Sequence, residues 1–122
     1  TLAGICCTAN EILIRHGIPV AGNLLQQELA IVTGAVEMMI IDVQCCMPSL
    51  PEVAGAYHTE IIATSEIART VGSTHHSFDK DNALESARSL IRRAIEIRPR
   101  KRYPDGLRMY GAFQRLRRRA LR

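Results

Sequence analysis

Short apolar runs, each closed by glycine, proline or a capping residue, set the rhythm of this chain. Leu2-Ala3-Gly4-Ile5 reads as a first strand. The run from Met38 to Val43 reads as a second, almost continuously apolar as befits a parallel strand covered on both faces. Between them, Thr8 or Asn10 is placed to cap a helix over residues 11–15. Gly17 and Pro19 stop it, because glycine takes the left-handed cap and proline cannot continue the ladder. Asn23 caps a second helix in which Leu25, Leu29 and Val32 form one apolar stripe, and Gly34 ends it. Past Pro48 and Pro51 the pattern predicts a short helix over 52–56 and a third strand over 59–64. A short helix over 66–70, capped by Ser65, and a weak fourth strand over 74–78 follow. The longest helix is predicted over 83–97, with Ala83, Ala87, Leu90, Ile91, Ala94 and Ile95 on one face and Asn82 and Glu85 at capping-box spacing. This order calls for an α/β fold, a Rossmann-like three-layer sandwich with a mostly parallel sheet of about four strands.

Charge divides the chain further. Residues 98–122 carry ten Lys and Arg against one acid, Asp105, whereas residues 1–97 carry six against eleven. A mildly acidic domain over 1–98 is therefore expected to be followed by a basic helical tail over 99–122, where Met109, Phe113, Leu116 and Ala120 recur at helical spacing. At 122 residues the whole is one domain's length. No apolar run is long enough to span a bilayer, and no charged segment followed by an apolar one suggests secretion. Because the chain opens at Thr1 inside an apparent strand, it reads as a piece of something longer.

The candidate chemistry lies in four cysteines, Cys6-Cys7 and Cys45-Cys46, each pair following an apolar run. The stretch between them is about one crossover long, so the two strands are expected to be parallel neighbours with both thiol pairs at their carboxyl ends. Cysteines in an unsecreted chain point to metal or redox chemistry rather than to a disulfide framework. Neighbours in a strand face opposite ways, so one ligand is expected from each pair, its neighbour packing as a small hydrophobe. Two thiolates do not complete a zinc site or an iron–sulfur cubane. Either His16, His58, His75 and His76 contribute, or the remaining ligands come from other chain. A closed four-thiolate zinc site would lack the usual Cys-x-x-Cys spacing. The blandest alternative buries all four cysteines as apolar residues.

Several motifs stand in one register: Cys6-Cys7-Thr8-Ala9-Asn10-Glu11, Arg15-His16-Gly17-Ile18-Pro19, residues 27–35 (Gln-Glu-Leu-Ala-Ile-Val-Thr-Gly-Ala), Asp42-Val43-Gln44-Cys45 with Pro48-Ser49, His58-Thr59, Gly72-Ser73-Thr74-His75, and Ala83-Leu84-Glu85-Ser86-Ala87. Together they resemble the catalytic subunit of the anaerobic nickel–iron–sulfur carbon monoxide dehydrogenases, over residues 2–98. Ala9 stands where that family usually has glycine, and the tail after Arg102 departs from it.

The resemblance implies a C-cluster, in which nickel joins an iron–sulfur (4Fe-4S) cubane with one pendant iron. It assigns Cys7 to the pendant iron and Cys45 to a cubane iron, and gives Cys6 and Cys46 no ligand role. It implies oxidation of CO with water to CO2, two protons and two electrons, with no catalytic side chain assigned within this stretch. The other cluster ligands, one histidine and three cysteines, would come from elsewhere in the enzyme, so this piece would not act alone. The implied partners are CO and CO2, the rest of the dehydrogenase chain, a homodimer mate and an electron acceptor such as a ferredoxin, all in the cytoplasm. Glu28 and Asp42 lie in matched motifs and either hydrogen-bond to the cluster loops or serve as solvated or capping carboxylates. The competing function is a non-catalytic α/β module with structural cysteines, whose basic tail binds nucleic acid or an acidic partner. Tyr103, Tyr110 and Phe113 are too few and too local for a base-stacking platform, which disfavours nucleic acid.

Overall fold

The computed structural model describes residues 1–67 and 69–97, so the expected tail over 99–122 and the boundary at 98 lie outside the described residues. Within them the chain is α/β, and all of its strand pairs are parallel. The strands do not form one sheet of about four. β1 (Gly4–Ile5) pairs with β2 (Val20–Gly22), while β3 (Met38–Ile41), β4 (Glu60–Ala63) and β5 (Thr74–His75) form a second sheet in that order.

The first two cysteine-leading strands are therefore not neighbours. After β1 the chain coils at once through α1 (Cys6–Thr8), a π-turn (Ala9–Leu13) and a 3-10 turn (Ile14–His16). This coil starts before Thr8 and Asn10, so neither stands at its N-terminus. Gly17, at φ 72°, then turns the chain back on itself, and the Gly4 N–H donates to the Pro19 carbonyl at 2.9 Å. A three-residue partner strand is too short to show a period, which is why β2 escapes a pattern-based reading.

Asn23 does cap the next helical segment. Its side chain accepts from the Leu25 N–H at 3.0 Å, and the Gln26 side chain accepts from the Asn23 N–H at 2.9 Å. A 3-10 turn (Leu24–Gln26) leads into α2 (Gln27–Val32). The face that α2 buries is not the predicted stripe. Gln27 and Ile31 point inward, while Leu25 and Leu29 are 78% and 62% exposed.

Ile31 joins Met39, Ile41, Leu50, Ala54, Ile61 and Ala63 in one core, built from α2, β3, α3 (Leu50–Gly55) and β4. Pro51 sits in the first turn of α3, where a missing N–H costs no helical bond. β3 alternates, with Met39 and Ile41 inward and Ile40 exposed, so it is not covered on both faces. β4 lies in the middle of its sheet, and Ile61, Ile62 and Ala63 are all buried.

α4 (Ala83–Glu96) faces the Ile62 side of this sheet across a cleft lined by Glu60, Ile62, His76, Ser89 and Arg93. Arg93 grips Glu60 through two hydrogen bonds, at 3.0 and 3.1 Å, and Ser89 meets His76 Nε2 at 3.0 Å. Leu90 is buried, yet Ile91 and Ile95 from the predicted inner face stay exposed. Asn82 makes no side-chain cap. Asp79 closes the turn that precedes the helix, Oδ1 accepting from the Asp81 and Asn82 N–H groups at 2.9 and 3.3 Å. No helix forms at the described positions of 66–70; Ser65 instead closes a turn by accepting from the Ile67 N–H. Among the described residues no helix is long and apolar enough to cross a membrane.

Candidate metal centre

Neither cysteine pair lies within a strand. Cys6 and Cys7 open α1 directly after β1, and Cys45 and Cys46 sit in the loop that leaves β3. The first member of each pair takes a left-handed backbone, with φ 61° at Cys6 and φ 54° at Cys45. A non-glycine residue there carries a penalty of roughly 1–2 kcal/mol, because Cβ crowds the following carbonyl. Neighbouring sulfurs therefore diverge through two sharp turns rather than through strand alternation. A π-turn begins at Ala9, one residue beyond the first pair, an irregularity that recurs near functional sites.

The Sγ atoms of Cys7 and Cys45, 38 positions apart in sequence, stand 3.5 Å from each other. All four cysteines are free thiols; Cys7 is exposed and Cys45 half-buried. Cys46 packs against the core beside Met47, and its thiol donates to the Gln44 carbonyl at 3.2 Å. Cys6 is half-buried, with Sγ 4.0 Å from Gln27 Nε2. The hydrogen bond shared with Cys45 pushes the Cys7 thiol above its ordinary pKa, with repulsion from a neighbouring thiolate adding to it. Burial pushes the Cys46 thiol up as well. A bound cation would reverse the logic at the exposed pair, since a coordinating thiol is held deprotonated.

The carboxylates divide. Glu28 accepts a short hydrogen bond from the Ser49 hydroxyl, on the loop that carries the second cysteine pair into α3. Asp42 is exposed, at the start of the loop that leaves β3. The histidines stand apart from the thiols. His16 is exposed at the end of its 3-10 turn, His58 is half-buried, His75 Nε2 pairs with the Ser65 carbonyl at 2.9 Å, and His76 pairs with Ser89. Among the described residues no three His, Cys, Asp or Glu side chains are grouped to hold a metal ion. Both the histidine-completed site and the four-thiolate zinc site need such a group.

One further residue belongs to the site. Gln27 is 3% exposed; its amide N–H donates to the Cys45 carbonyl in a short hydrogen bond, and its oxygen accepts from the Met47 N–H at 3.0 Å. Its sequence signals are its place at the head of the motif over 27–35 and its position four residues before Ile31, on the face opposite the leucine stripe.

The donor set suits a soft metal. Two thiolates at about 2.3 Å from one tetrahedral ion stand roughly 3.8 Å apart, close to the separation seen here. Ligation of two different irons in one cluster needs a wider spacing than the 3.5 Å between these sulfurs.

Residues 1–106 match the Prismane/CO dehydrogenase family. The chain is 54% identical to carbon monoxide dehydrogenase 1 of Methanosarcina mazei over 100 residues, which are 82% of this chain and 16% of the relative. It is 52% identical to the carbon monoxide dehydrogenase of Rhodospirillum rubrum over 94 residues, 77% of this chain and 15% of that one. Among solved structures, it resembles a nickel-free carbon monoxide dehydrogenase from Thermococcus sp. AM4 with TM-score 0.76 and 48% identity, over 80% of this chain and 15% of that one. Carbon monoxide dehydrogenase IV of Carboxydothermus hydrogenoformans gives TM-score 0.75 and 52% identity, over 79% and 15%. The chain thus spans about one sixth of the length of the relatives it matches.

Proposed function

The chain belongs to the prismane/CO dehydrogenase family, and on that premise we propose that it is part of an anaerobic carbon monoxide dehydrogenase catalytic subunit, contributing Cys7 and Cys45 to the nickel–iron–sulfur C-cluster. The observation that carries this reading is the 3.5 Å approach of those two sulfurs. When bound, the cluster would supply the two-electron oxidation of CO with water to CO2 and two protons.

The chain's own residues hold and orient. The thiolates of Cys7 and Cys45 bind metal, while Cys6 and Cys46 fill space behind them. Glu28 fixes the second cysteine loop through Ser49, and Asp42 stands exposed at the start of the same loop. Leu25, Leu29, Ile40 and Val43, exposed here, pack against the rest of the subunit. That remainder supplies the outstanding histidine and cysteine ligands and completes a Rossmann-like sandwich. A homodimer mate and a ferredoxin-type electron acceptor complete the cytoplasmic enzyme.

Exchanging residues 2–97 for the matching segment of the Rhodospirillum rubrum relative tests the reading. CO oxidation with an artificial electron acceptor is expected to persist in the chimera. It is expected to fall at least about 100-fold with Cys7→Ala or Cys45→Ala, and to stay within a few-fold with Cys6→Ala. Full activity in the Cys7→Ala chimera would refute the proposal.

A further inference from the structure

The two cysteine turns need something to hold them face to face, because no strand pairing connects β1 to β3. Gln27 is the side chain placed to do it. We infer that Gln27 is a positioning residue for the thiol pair, its carboxamide clasping the Cys45–Met47 turn and presenting the Cys45 sulfur to Cys7. The inference rests on the reading that these two thiols bind metal.

Three features carry it. A primary amide at 3% exposure must find partners or destabilise the fold, and both ends of this one are used. Those partners, the Cys45 carbonyl and the Met47 N–H, straddle Cys46, so the amide grips the turn from both sides as a neighbouring strand would. The gripped turn contains the left-handed Cys45, a conformation that persists only when its surroundings over-determine it. The same Nε2 lies 4.0 Å from Cys6 Sγ, which brings the clasp against the first pair too. Methionine has a similar length but neither donor nor acceptor; glutamate keeps the acceptor for Met47 and loses the donor to Cys45.

Phenylarsine oxide is the probe, since one trivalent arsenic takes two close thiols. Two As–S bonds form, and the oxide oxygen leaves as water with both thiol protons. In the reduced chain under anaerobic conditions, Gln27→Met is expected to weaken arsenical binding about tenfold or more. Gln27→Glu is expected to fall between Gln27→Met and the unsubstituted chain. A residue that merely stabilised the fold would lower the thermal midpoint and leave arsenical affinity unchanged, and that result would overturn the inference. Should Gln27→Met not fold, amide exchange in the unsubstituted chain decides. The Met47 N–H is expected to exchange at least about tenfold more slowly than in an unstructured peptide, and exchange at the unprotected rate would remove the clasp. Anaerobic iron uptake separates this from the metal reading. A chain that captures arsenic in a Gln27-dependent way yet takes up no iron keeps the positioning role and loses the cluster.

Discussion

The core between α2, β3, α3 and β4 and the cysteine face beside it follow opposite rules, although α2 serves both. In the core, Ile31 and Leu50 are fully buried and Met39, Ile41, Ile61 and Ala63 close around them. On the cysteine face, a thiol stands exposed, two cysteines hold left-handed turns, and Leu25 and Leu29 lie open to solvent. The first region is complete within these residues. The second holds strain and uncovered apolar surface, the combination on which the proposed cluster site rests.

The sharpest way to break this contrast is to truncate one leucine in each region. Leu50→Ala is expected to cost about 2–5 kcal/mol, the range for a fully buried leucine. Leu29→Ala in the same chain should shift stability by no more than about 0.5 kcal/mol. Urea midpoints compare the two, and equal losses would erase the distinction.

A smaller effect is expected at Gly4, where β1 runs against the coil that carries Cys7. A methyl group there would stand 2.6 Å from Leu13 Cδ1 and 2.7 and 2.8 Å from Cβ and Cα of Ala9. Part of that clash is with backbone, so Gly4→Ala is expected to cost about 1–3 kcal/mol by overpacking. It should also shift the cysteine turn, so thiol capture by an arsenical falls alongside stability. Loss of stability with capture intact would mean that β1 does not position Cys7.

The smallest effects separate the regions by pH. Arg93 holds the Glu60 carboxyl below the usual carboxylate range, the guanidinium's hydrogen bonds being the main cause. A depressed carboxyl stabilises the fold above its unfolded-state pKa, and that contribution is lost as pH falls through the depressed value. Glu60→Gln is therefore expected to flatten the acid limb of the thermal midpoint against pH. The thiol of Cys7 behaves oppositely. Raised chiefly by its hydrogen bond with Cys45, it contributes fully below the ordinary thiol pKa and ever less as pH climbs through the raised one. Cys7→Ala should flatten the alkaline limb of the metal-free chain and leave the acid limb alone. A substitution that flattened both limbs would join what the structure keeps apart.

Much of the packed region was legible in sequence because its signals are local and redundant. β3 and β4 show unbroken apolar runs and α4 an apolar stripe at helical spacing, and Gly17 and Asn23 act at the positions their chemistry favours. From sequence, strand pleating separates the sulfurs of each pair, whereas in the structure both pairs lie outside the strands, each opened by a left-handed residue. The leucine stripe of α2 misled because a stripe shows that a face is covered, not that this stretch of chain covers it. Gln27 was invisible for the converse reason: a lone polar residue in a helix reads as solvated until tertiary structure gives it partners. Asn82 and Glu85 have capping-box spacing yet form no cap, because the chain enters α4 through a turn closed by Asp79 whose geometry spacing alone does not encode.

Anaerobic reconstitution of the chain with iron, sulfide and nickel tests the shared thiol site most directly. Thiolate-to-iron charge-transfer absorption is expected to appear, to collapse with Cys7→Ala or Cys45→Ala, and to survive Cys6→Ala. If Cys6→Ala and Cys7→Ala diminish it equally, the sulfurs that meet at 3.5 Å are not the ones that hold the metal.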